Sequence, residues 1–353
     1  MLVYVGAYTE PAYGHAAGID LFDFDPATGE LRHLRTMAGV PNPSFLALNA
    51  DRTRLYAVNE LPEGRVSAFA RDRERGELHP LNSQLAHGAD PCYVSLDPSG
   101  RFVLVANYTG GTIAVLPIAA DGALEPASCV IHHDGSGPRP EQEGAHPHMI
   151  APTPDGQRVL VSDLGADRLV VYRLVAERGT LVSDASGTDR IAAAAGAGPR
   201  HFAFAPDGET LYVINELDST LSVYRYDANA GTIASVQTVP TLPGGFDGAN
   251  SCAHVVVSPD GRFVYGSNRG HDSIAIWSAG ESGAVTALGH EPTRGRTPRG
   301  FALDPTGTWL LVANQESDSL VTFRRDPETG LLTASGSVVD TPSPVAVLFC
   351  AGS

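Results

Sequence analysis

The sequence predicts an all-β fold, a seven-bladed β-propeller built from four-stranded antiparallel blades. The first observation is a repeat of 44 to 56 residues in the 353-residue chain. Each copy reads as a strand, a Pro-Asp-Gly-type turn, a second strand, a polar turn and a third strand, as in "SPDGRFVYGSN". A fourth strand follows each copy, and long amphipathic helices are absent, which excludes a helical solenoid. The copies are anchored at Pro43, Pro91, Pro147, Pro199, Cys252, Pro298 and Pro342.

The two ends of the chain are expected to share one blade. The C-terminus offers one strand, "SPVAVLF", and the N-terminus offers three, "LVYVGAY", "GIDLFDFD" and "ELRHLRTM". Together they complete a four-stranded sheet, close the ring and remove the exposed strand edges that would invite aggregation. We therefore predict a single domain over residues 1–353.

Composition narrows the function classes. The formal net charge of −16 argues against a nucleic-acid or anionic-membrane binder, because lysine and arginine supply that attraction. The four cysteines show no CxxC spacing, so neither a disulfide framework nor a zinc site is predicted. The sequence has no signal-peptide pattern and no apolar run long enough for a membrane span. We expect a soluble, cytoplasmic protein, and no obligatory protein partner is implied.

The repeat predicts where a site lies, because the first strand of a blade starts on the same face on which the second strand ends. Six Asx residues end the second strands, and we expect them to cap turns. They are Asn59, Asn107, Asp163, Asn215, Asn268 and Asn314. Two neighbouring positions vary instead. After the anchors come Ser44, Cys92, His148, Arg200, Ala253, Arg299 and Ser343. After the Asx residues come Glu60, Tyr108, Leu164, Glu216, Arg269 and Gln315.

The variable positions predict a charged site on one face. It holds His148, Arg200, Glu216, Arg269 and Arg299. Guanidiniums offer planar sets of donors that suit a carboxylate or phosphate, so an anionic substrate is expected. Glu216 beside His148 supplies groups for proton transfer. In the alternative interpretation these charges line a wet pore and pair with one another.

Two loop excursions precede anchors on the same face. "GSGPRPEQEGAHPHM" spans 135–149 and "LPGGFDGANSCAH" spans 242–254. Loops of this kind often build sites, so we predict that Gly135–Gly144 forms a wall or lid of the pocket. The pair His146 and His148 could instead ligate a metal, but the sequence offers no third ligand, and no metal is predicted.

Several motifs resemble one known family. The segments "GSGPRPEQEGAHPH", "GPRHFAF", "LYVINEL", "SPDGRFVYGSNRG" and "TPRGFALDPTG" are similar to the seven-bladed lactonase family, which includes propeller-type 6-phosphogluconolactonases and fungal carboxymuconate cyclases. The resemblance implies a metal-independent site without a cofactor, in carbohydrate metabolism of the pentose phosphate type. Its site residues would be His148, Arg200, Glu216 and Arg269. His254 stands where the family usually carries an acidic residue.

The leading hypothesis is hydrolysis of an anionic sugar lactone such as 6-phosphoglucono-δ-lactone. Glu216, with His148, would take the proton of water, while Arg200 and Arg269 stabilise the developing oxyanion. The residues predicted to hold the substrate are Arg299, His201, His254, His146 and Arg139. A muconate-type cycloisomerase is the alternative enzyme, because the same side chains bind carboxylates and move one proton. A non-enzymatic binding propeller is the third hypothesis.

Overall fold

A computed structural model describes residues 1–183, 190–281 and 283–350. The chain divides into two compact units. The first unit comprises residues 1–40, 200–226 and 234–353, and the second comprises residues 41–199 and 227–233. The single domain over residues 1–353 stays a prediction.

The first sixteen strands alternate with tight turns. They are β1 (Leu2–Ala7), β2 (Gly18–Phe24), β3 (Leu31–Ala38), β4 (Leu46–Leu48), β5 (Arg54–Asn59), β6 (Arg65–Arg71), β7 (Leu78–Leu85), β8 (Pro91–Leu96), β9 (Phe102–Asn107), β10 (Thr112–Pro117), β11 (Cys129–His132), β12 (Pro147–Pro152), β13 (Val159–Asp163), β14 (Arg168–Val175), β15 (Thr180–Ser183) and β16 (Arg190–Ala192). A 3₁₀ helix at Pro140–Gln142 precedes β12.

The remaining strands continue the same pattern. They are β17 (Pro199–Phe204), β18 (Thr210–Asn215), β19 (Thr220–Asp227), β20 (Thr232–Pro240), β21 (Ser251–Val257), β22 (Phe263–Arg269), β23 (Ser273–Ala279), β24 (Val285–Pro292), β25 (Pro298–Leu303), β26 (Trp309–Asn314), β27 (Ser319–Arg325), β28 (Leu332–Asp340) and β29 (Pro344–Cys350). A second 3₁₀ helix, Gln315–Ser317, follows β26.

The strands form seven antiparallel sheets in chain order. Six of them are four-stranded, with the orders β29-β1-β2-β3, β4-β5-β6-β7, β8-β9-β10-β11, β17-β18-β19-β20, β21-β22-β23-β24 and β25-β26-β27-β28. The seventh has the order β12-β13-β14-β15, and β16 also pairs with β14. This confirms the predicted all-β, seven-bladed β-propeller fold.

The predicted closure of the terminal blade is also confirmed. Strand β29 pairs antiparallel with β1, with Leu2 opposite Cys350 and Val5 opposite Val347. Phe22 and Phe24 of β2 are buried in one apolar cluster with Trp309 of β26. The last strand of the chain therefore completes a hydrogen-bond ladder that the N-terminal strands leave open.

Within the first unit, tyrosines of the second strands β18 and β22 reach the outer turn of the next sheet. The hydroxyl of Tyr212 donates to the carbonyl of Gly283 at 3.1 Å, and that of Tyr265 donates to Gly330 at 2.8 Å. Both glycines have a positive φ, 79° and 72°, which favours a residue without a side chain. Burial raises the pKa of Tyr212 to about 12, so its hydroxyl keeps its proton and remains a donor.

The anchor assigned to the C-terminal strand was wrong by two residues. Strand β29 starts at Pro344, not Pro342, and Pro344 pairs with Ala7 at the end of β1. In another sheet, the anchor Pro298 pairs with Asn314 at the end of β26 in the same way, so Pro344 is the equivalent anchor. In the terminal blade, Ala7 occupies the position that holds an Asx residue in the other blades. The residue after it, Tyr8, is therefore absent from the site residues predicted from the sequence.

A C-terminal truncation tests the closure. A chain ending at Pro342 lacks β29 and exposes the edge of β1 that β29 covers, so its thermal midpoint should fall by about 10 °C or more. A chain ending at Cys350 keeps the strand and serves as the control. Equal thermal midpoints for the two truncated proteins, measured by circular dichroism, would contradict the closure as a source of stability.

Candidate active site

In two sheets, one in each unit, the side chains at the two variable positions are in contact. In the second unit, the hydroxyl of Ser44 donates to the carboxylate of Glu60. In the first unit, Arg200 meets Glu216 at the equivalent positions. The fold thus brings the residue after an anchor against the residue after an Asx position, and the chemistry depends on which side chains occupy them.

Glu216 lies between two guanidiniums. Its Oε2 is 2.7 Å from Nε of Arg200, and its Oε1 is 2.8 Å from Nη2 of Arg269. The side chain of Arg200 is 3% exposed, while that of Glu216 retains 19%. The carboxylate is therefore held by both oxygens but remains reachable from solvent, as a group that meets a substrate must be.

The surroundings keep Glu216 ionised. Burial of the carboxyl raises its pKa, but the charges of three guanidiniums outweigh burial and hold the pKa below the ordinary value of 4.5. In decreasing order of effect, these charges belong to Arg269, Arg200 and Arg299. The ion cluster carries an excess of positive charge on a protein whose net charge is −16, which suits an anionic ligand.

Strand β21 supports both arginines through its backbone. The carbonyl of Ala253 accepts from Nη1 of Arg200 at 2.5 Å, and the carbonyl of Cys252 accepts from Nη2 of Arg269 at 2.8 Å. The N–H of Cys252 also donates to the carbonyl of Glu216 at 3.1 Å. Within the described residues, Nε of Arg269 is buried without a hydrogen-bond partner. A buried donor left unpaired is costly, and such groups occur at functional sites.

Arg299 joins the same cluster from the next sheet. Its charge acts on Glu216, and its guanidinium lies 5.3 Å from the ring centroid of Tyr8. Tyr8 follows β1, at the position that Glu216 and Arg269 occupy in their own sheets. Tyr8 is absent from the residues predicted from the sequence, where its signal is that the composite blade must also have a second-strand end.

His201 and His254 form a buried pair beside Arg200. Their Nδ1 atoms are 2.6 Å apart, so one ring donates and the other accepts. Nη1 of Arg200 is 3.3 Å from Nε2 of His201. Burial, followed by the charge of Arg200, lowers the pKa of His254 to about 3. His254 is therefore neutral at physiological pH and offers hydrogen bonding rather than positive charge.

His148 lies in the second unit, on β12. Its Nδ1 is 3.7 Å from the sulfur of Cys92, and its ring lies edge-on to Tyr108 with centroids 5.5 Å apart. His146 stacks on the same tyrosine at 4.5 Å, and its Nδ1 is 2.9 Å from the carbonyl oxygen of Tyr108. The two histidines therefore flank one aromatic ring. Cys92 is a contact of His148 to which the sequence analysis assigned no role.

The 135–149 excursion packs at the end of its own sheet where β13 ends. Gln142 is fully buried, and its Nε2 donates to the carbonyl of Leu164 at 2.8 Å and to Asp167 at 2.7 Å. Arg139 is exposed, and its Nε donates to the carbonyl of Gly196 at 2.9 Å. The role of this loop as a wall or lid stays a prediction.

The described residues contain neither a cluster of metal ligands nor a membrane-spanning helix. In them, no three His, Cys, Asp or Glu side chains come together as metal ligands. None of the helices described is long and apolar enough to cross a membrane. Metal independence and the absence of a cofactor stay predictions.

The fold and the ion cluster together define a class of protein, a seven-bladed β-propeller with a charged site built from the inner strands of its blades. The particular family follows from comparison with known proteins. Residues 2–349 match the family model described as "Lactonase, 7-bladed beta-propeller". The chain belongs to this lactonase family, as its motifs predicted.

Similar proteins agree with this assignment. The chain is 39% identical over 348 residues to a 6-phosphogluconolactonase of Bacillus subtilis, with 98% of this chain and 97% of the relative covered. It is 35% identical to a 6-phosphogluconolactonase of Formosa agariphila, with 94% of each chain covered. The solved structure of a periplasmic gluconolactonase from Pseudomonas aeruginosa has a TM-score of 0.94 at 34% identity, with all of both chains covered. The protein is accordingly a lactonase, a lactone hydrolase, which confirms the predicted enzyme class.

The low pKa of His254 gives a prediction on acid stability. The unfolded chain protonates this histidine near pH 6.5, whereas the folded protein holds it neutral to about pH 3. Below pH 6.5 the unfolded state therefore binds more protons, and stability falls as the pH falls. His254→Gln removes this contribution, so its thermal midpoint should drop less than that of the wild type between pH 7 and pH 5.

The pH window isolates His254 from the neighbouring carboxylate. The lowered pKa of Glu216 changes stability only below about pH 5, where free glutamate begins to protonate. His132→Gln replaces an exposed histidine and should follow the wild type. If His254→Gln and the wild type lost the same number of degrees on acidification, the histidine would not be held neutral in the fold.

Proposed function

We propose that the protein hydrolyses an anionic sugar lactone of the 6-phosphoglucono-δ-lactone type. The observation that carries the proposal is the carboxylate of Glu216 held between Arg200 and Arg269, with Arg299 adding a third positive charge. The relatives named 6-phosphogluconolactonase support this substrate class.

Glu216 acts as the base for the attacking water. Its lowered pKa keeps it ionised throughout the neutral range, so it is always able to accept a proton. Water attacks the lactone carbonyl carbon while its proton moves to Glu216. The tetrahedral intermediate then expels the ring oxygen, and the proton passes to that oxygen, which yields the open hydroxy acid. His148 is the second proton-transfer group in this proposal.

Arg200 and Arg269 stabilise the oxyanion of the tetrahedral intermediate. The backbone carbonyls of Ala253 and Cys252 hold the two guanidiniums in place before substrate binds. Preorganised donors of this kind need no rearrangement when charge develops on the substrate. The mutual ion pairs with Glu216 keep the positive charges close together until the substrate anion arrives.

Arg299 holds the substrate anion, because its guanidinium extends over Tyr8 and reinforces the positive cluster. His201 and the neutral His254 are proposed to form hydrogen bonds with the substrate, and His146 and Arg139 are proposed to contact it as well. The reaction needs neither a metal ion nor a cofactor in this mechanism. We also propose a cytoplasmic location, which the 6-phosphogluconolactonase activity favours.

The function is tested by direct assay. The purified protein should accelerate hydrolysis of 6-phosphoglucono-δ-lactone above the spontaneous rate and should not cyclise a carboxymuconate. Because such lactones open unaided, the uncatalysed rate is subtracted at each substrate concentration. Cyclisation of the muconate without lactone hydrolysis would replace the hydrolase proposal by the cycloisomerase, and inactivity on both substrates would reject this substrate class.

The base assignment is tested by a matched pair of substitutions. Glu216 and Glu60 occupy the same register and the same "NEL" triplet, but Glu60 accepts from Ser44 at the position where Glu216 meets Arg200. Glu216→Gln should lower kcat for the lactone by about 100-fold or more, as expected for loss of a general base. Glu60→Gln should change kcat by much less and act mainly on KM.

A folded Glu216→Gln protein with unchanged kcat would remove the base assignment, and so would equal losses from the two substitutions. The acid limb of the wild-type kcat profile gives an independent check. It should lie below pH 4.5, because the guanidiniums lower the pKa of Glu216.

A further inference from the structure

A second polar cavity lies beside the proposed catalytic cluster. It has a volume of about 620 Å³ and is lined by the excursion after β1 together with the turn after β26 and the residue before β29. The lining side chains used below are Tyr13, His15, Gln315, Glu316, Asp318 and Ser343. None of them has a role in the mechanism proposed above.

Aromatic contacts connect this cavity to the cluster. The guanidinium of Arg299 lies over Tyr8 at 5.3 Å, and the ring of Tyr8 lies 5.5 Å from that of Tyr13 with an angle of 33° between their planes. Tyr13 is 48% exposed and presents ring surface at the cavity. Tyr8 itself is 2% exposed and separates Arg299 from Tyr13, so a ligand that contacts both must span this ring.

The floor of the cavity is a fixed polar network. The Oγ of Ser343 is 3.2 Å from Nδ1 of His15, and Nε2 of that histidine is 3.4 Å from Oδ2 of Asp318. The other carboxylate oxygen of Asp318 accepts the backbone N–H of Ser343 at 2.8 Å. Ser343 is 3% exposed, so the network is anchored in the protein although its outer members face solvent.

The excursion is shaped to hold this network. Gly14 lies so close to its neighbours that a side-chain carbon there would be 2.5 Å from the carbonyl oxygen of Tyr8 and 2.7 Å from the Cβ of Ser343. The backbone N–H of Tyr8 donates to the carbonyl of Ser343 at 3.1 Å, and the backbone N–H of His15 donates to the Oγ of Ser343 at 3.2 Å. The cavity is therefore built before any ligand binds.

The lining chemistry selects a class of ligand. The carboxylates of Glu316 and Asp318 disfavour a phosphate or carboxylate, and neither lysine nor arginine lines the cavity. Carboxylate and amide groups form hydrogen bonds with sugar hydroxyls. Asp318 and Gln315 supply such groups to the cavity. The face of Tyr13 packs against the C–H surface of a sugar ring. Together these groups suit a neutral, polyhydroxylated ring.

We propose that this cavity binds the second sugar of a glycosylated aldonolactone, so that the enzyme accepts a disaccharide lactone with its lactone ring at Glu216 and its glycosyl ring at Tyr13. The proposal rests on the lactonase function proposed above. The two parts of the substrate match the charges of the two sites, because the arginines face the lactone carbonyl, on which negative charge develops, and the acidic cavity receives the neutral glycosyl ring. A phosphorylated single-ring lactone uses only the arginine side.

The first test compares substrates. Wild-type kcat/KM should be about tenfold higher for maltobiono-δ-lactone than for glucono-δ-lactone, a difference typical of added aromatic and hydrogen-bond contacts. Tyr13→Ala and Asp318→Asn should each remove this advantage and leave the rate with glucono-δ-lactone unchanged. Tyr13→Phe keeps the ring and should retain the advantage. Asp318→Asn retains a side-chain oxygen that can accept the Ser343 N–H. Thermal unfolding checks that each variant is folded.

A binding measurement separates the cavity from the catalytic proposal. Calorimetry with the open acids should show maltobionate bound about tenfold more tightly than gluconate, with the difference lost in Tyr13→Ala. If 6-phosphoglucono-δ-lactone is hydrolysed but maltobiono-δ-lactone and maltobionate have no Tyr13-dependent advantage, the cavity proposal is overturned and the lactonase proposal stands. If no lactone is hydrolysed but maltobionate binding depends on Tyr13, the catalytic proposal fails and the sugar site stands. Failure of both measurements rejects both proposals.

Discussion

The pairing of the anchor residue of an inner strand with the Asx residue of the next strand is the constraint on which the site depends. Pro298 lies opposite Asn314, and Cys252 lies opposite Asn268, in ladders that their sheets need in any case. The register shifts directly after each of these anchors, and where the following residues are Arg200 and Glu216 their side chains meet. The amide of Asn268 ties this end of its sheet to the preceding loop by donating to the carbonyl of Thr241 at 2.8 Å. A repeated structural contact thus fixes backbone positions, and variation beside it supplies the chemistry.

The same constraint explains how the charges of Glu216, Arg200 and Arg269 can be held together away from bulk water. Taking charges out of water is unfavourable unless each is paired, and Glu216 pairs with a guanidinium through each oxygen. Arg200 and Arg269 are further satisfied by carbonyls of one neighbouring strand. In the equivalent position of another sheet, Ser44 stands in place of Arg200 and donates to Glu60. The repeat therefore holds an ordinary polar pair and a charged cluster with one backbone geometry.

The sequence predicted the blades and the meeting of Arg200 with Glu216, because both follow from a period that recurs along the chain. It could not predict the pairing of His201 with His254, because ring orientation depends on packing between sheets. It also placed the terminal anchor at Pro342, because Pro342 and Pro344 fit the local pattern equally well and only the β1–β29 ladder distinguishes them. Tyr8 was missed for a related reason, since its sheet has alanine where the other sheets have Asx.

Closing the terminal blade has a consequence for chemistry as well as for stability. The ladder between β1 and β29 sets the end of β1 beside Ser343, so the excursion that begins at Tyr8 folds back over that serine. The aromatic ring of Tyr8 then packs under Arg299, and the imidazole of His15 reaches Ser343. A shift of two residues in this ladder would keep every strand paired but would move Tyr8 away from the arginine. Hydrogen bonding alone cannot reject that register. The fit of Gly14 against Tyr8 and Ser343 adds a second constraint, since in the observed register that space admits only a residue without a side chain.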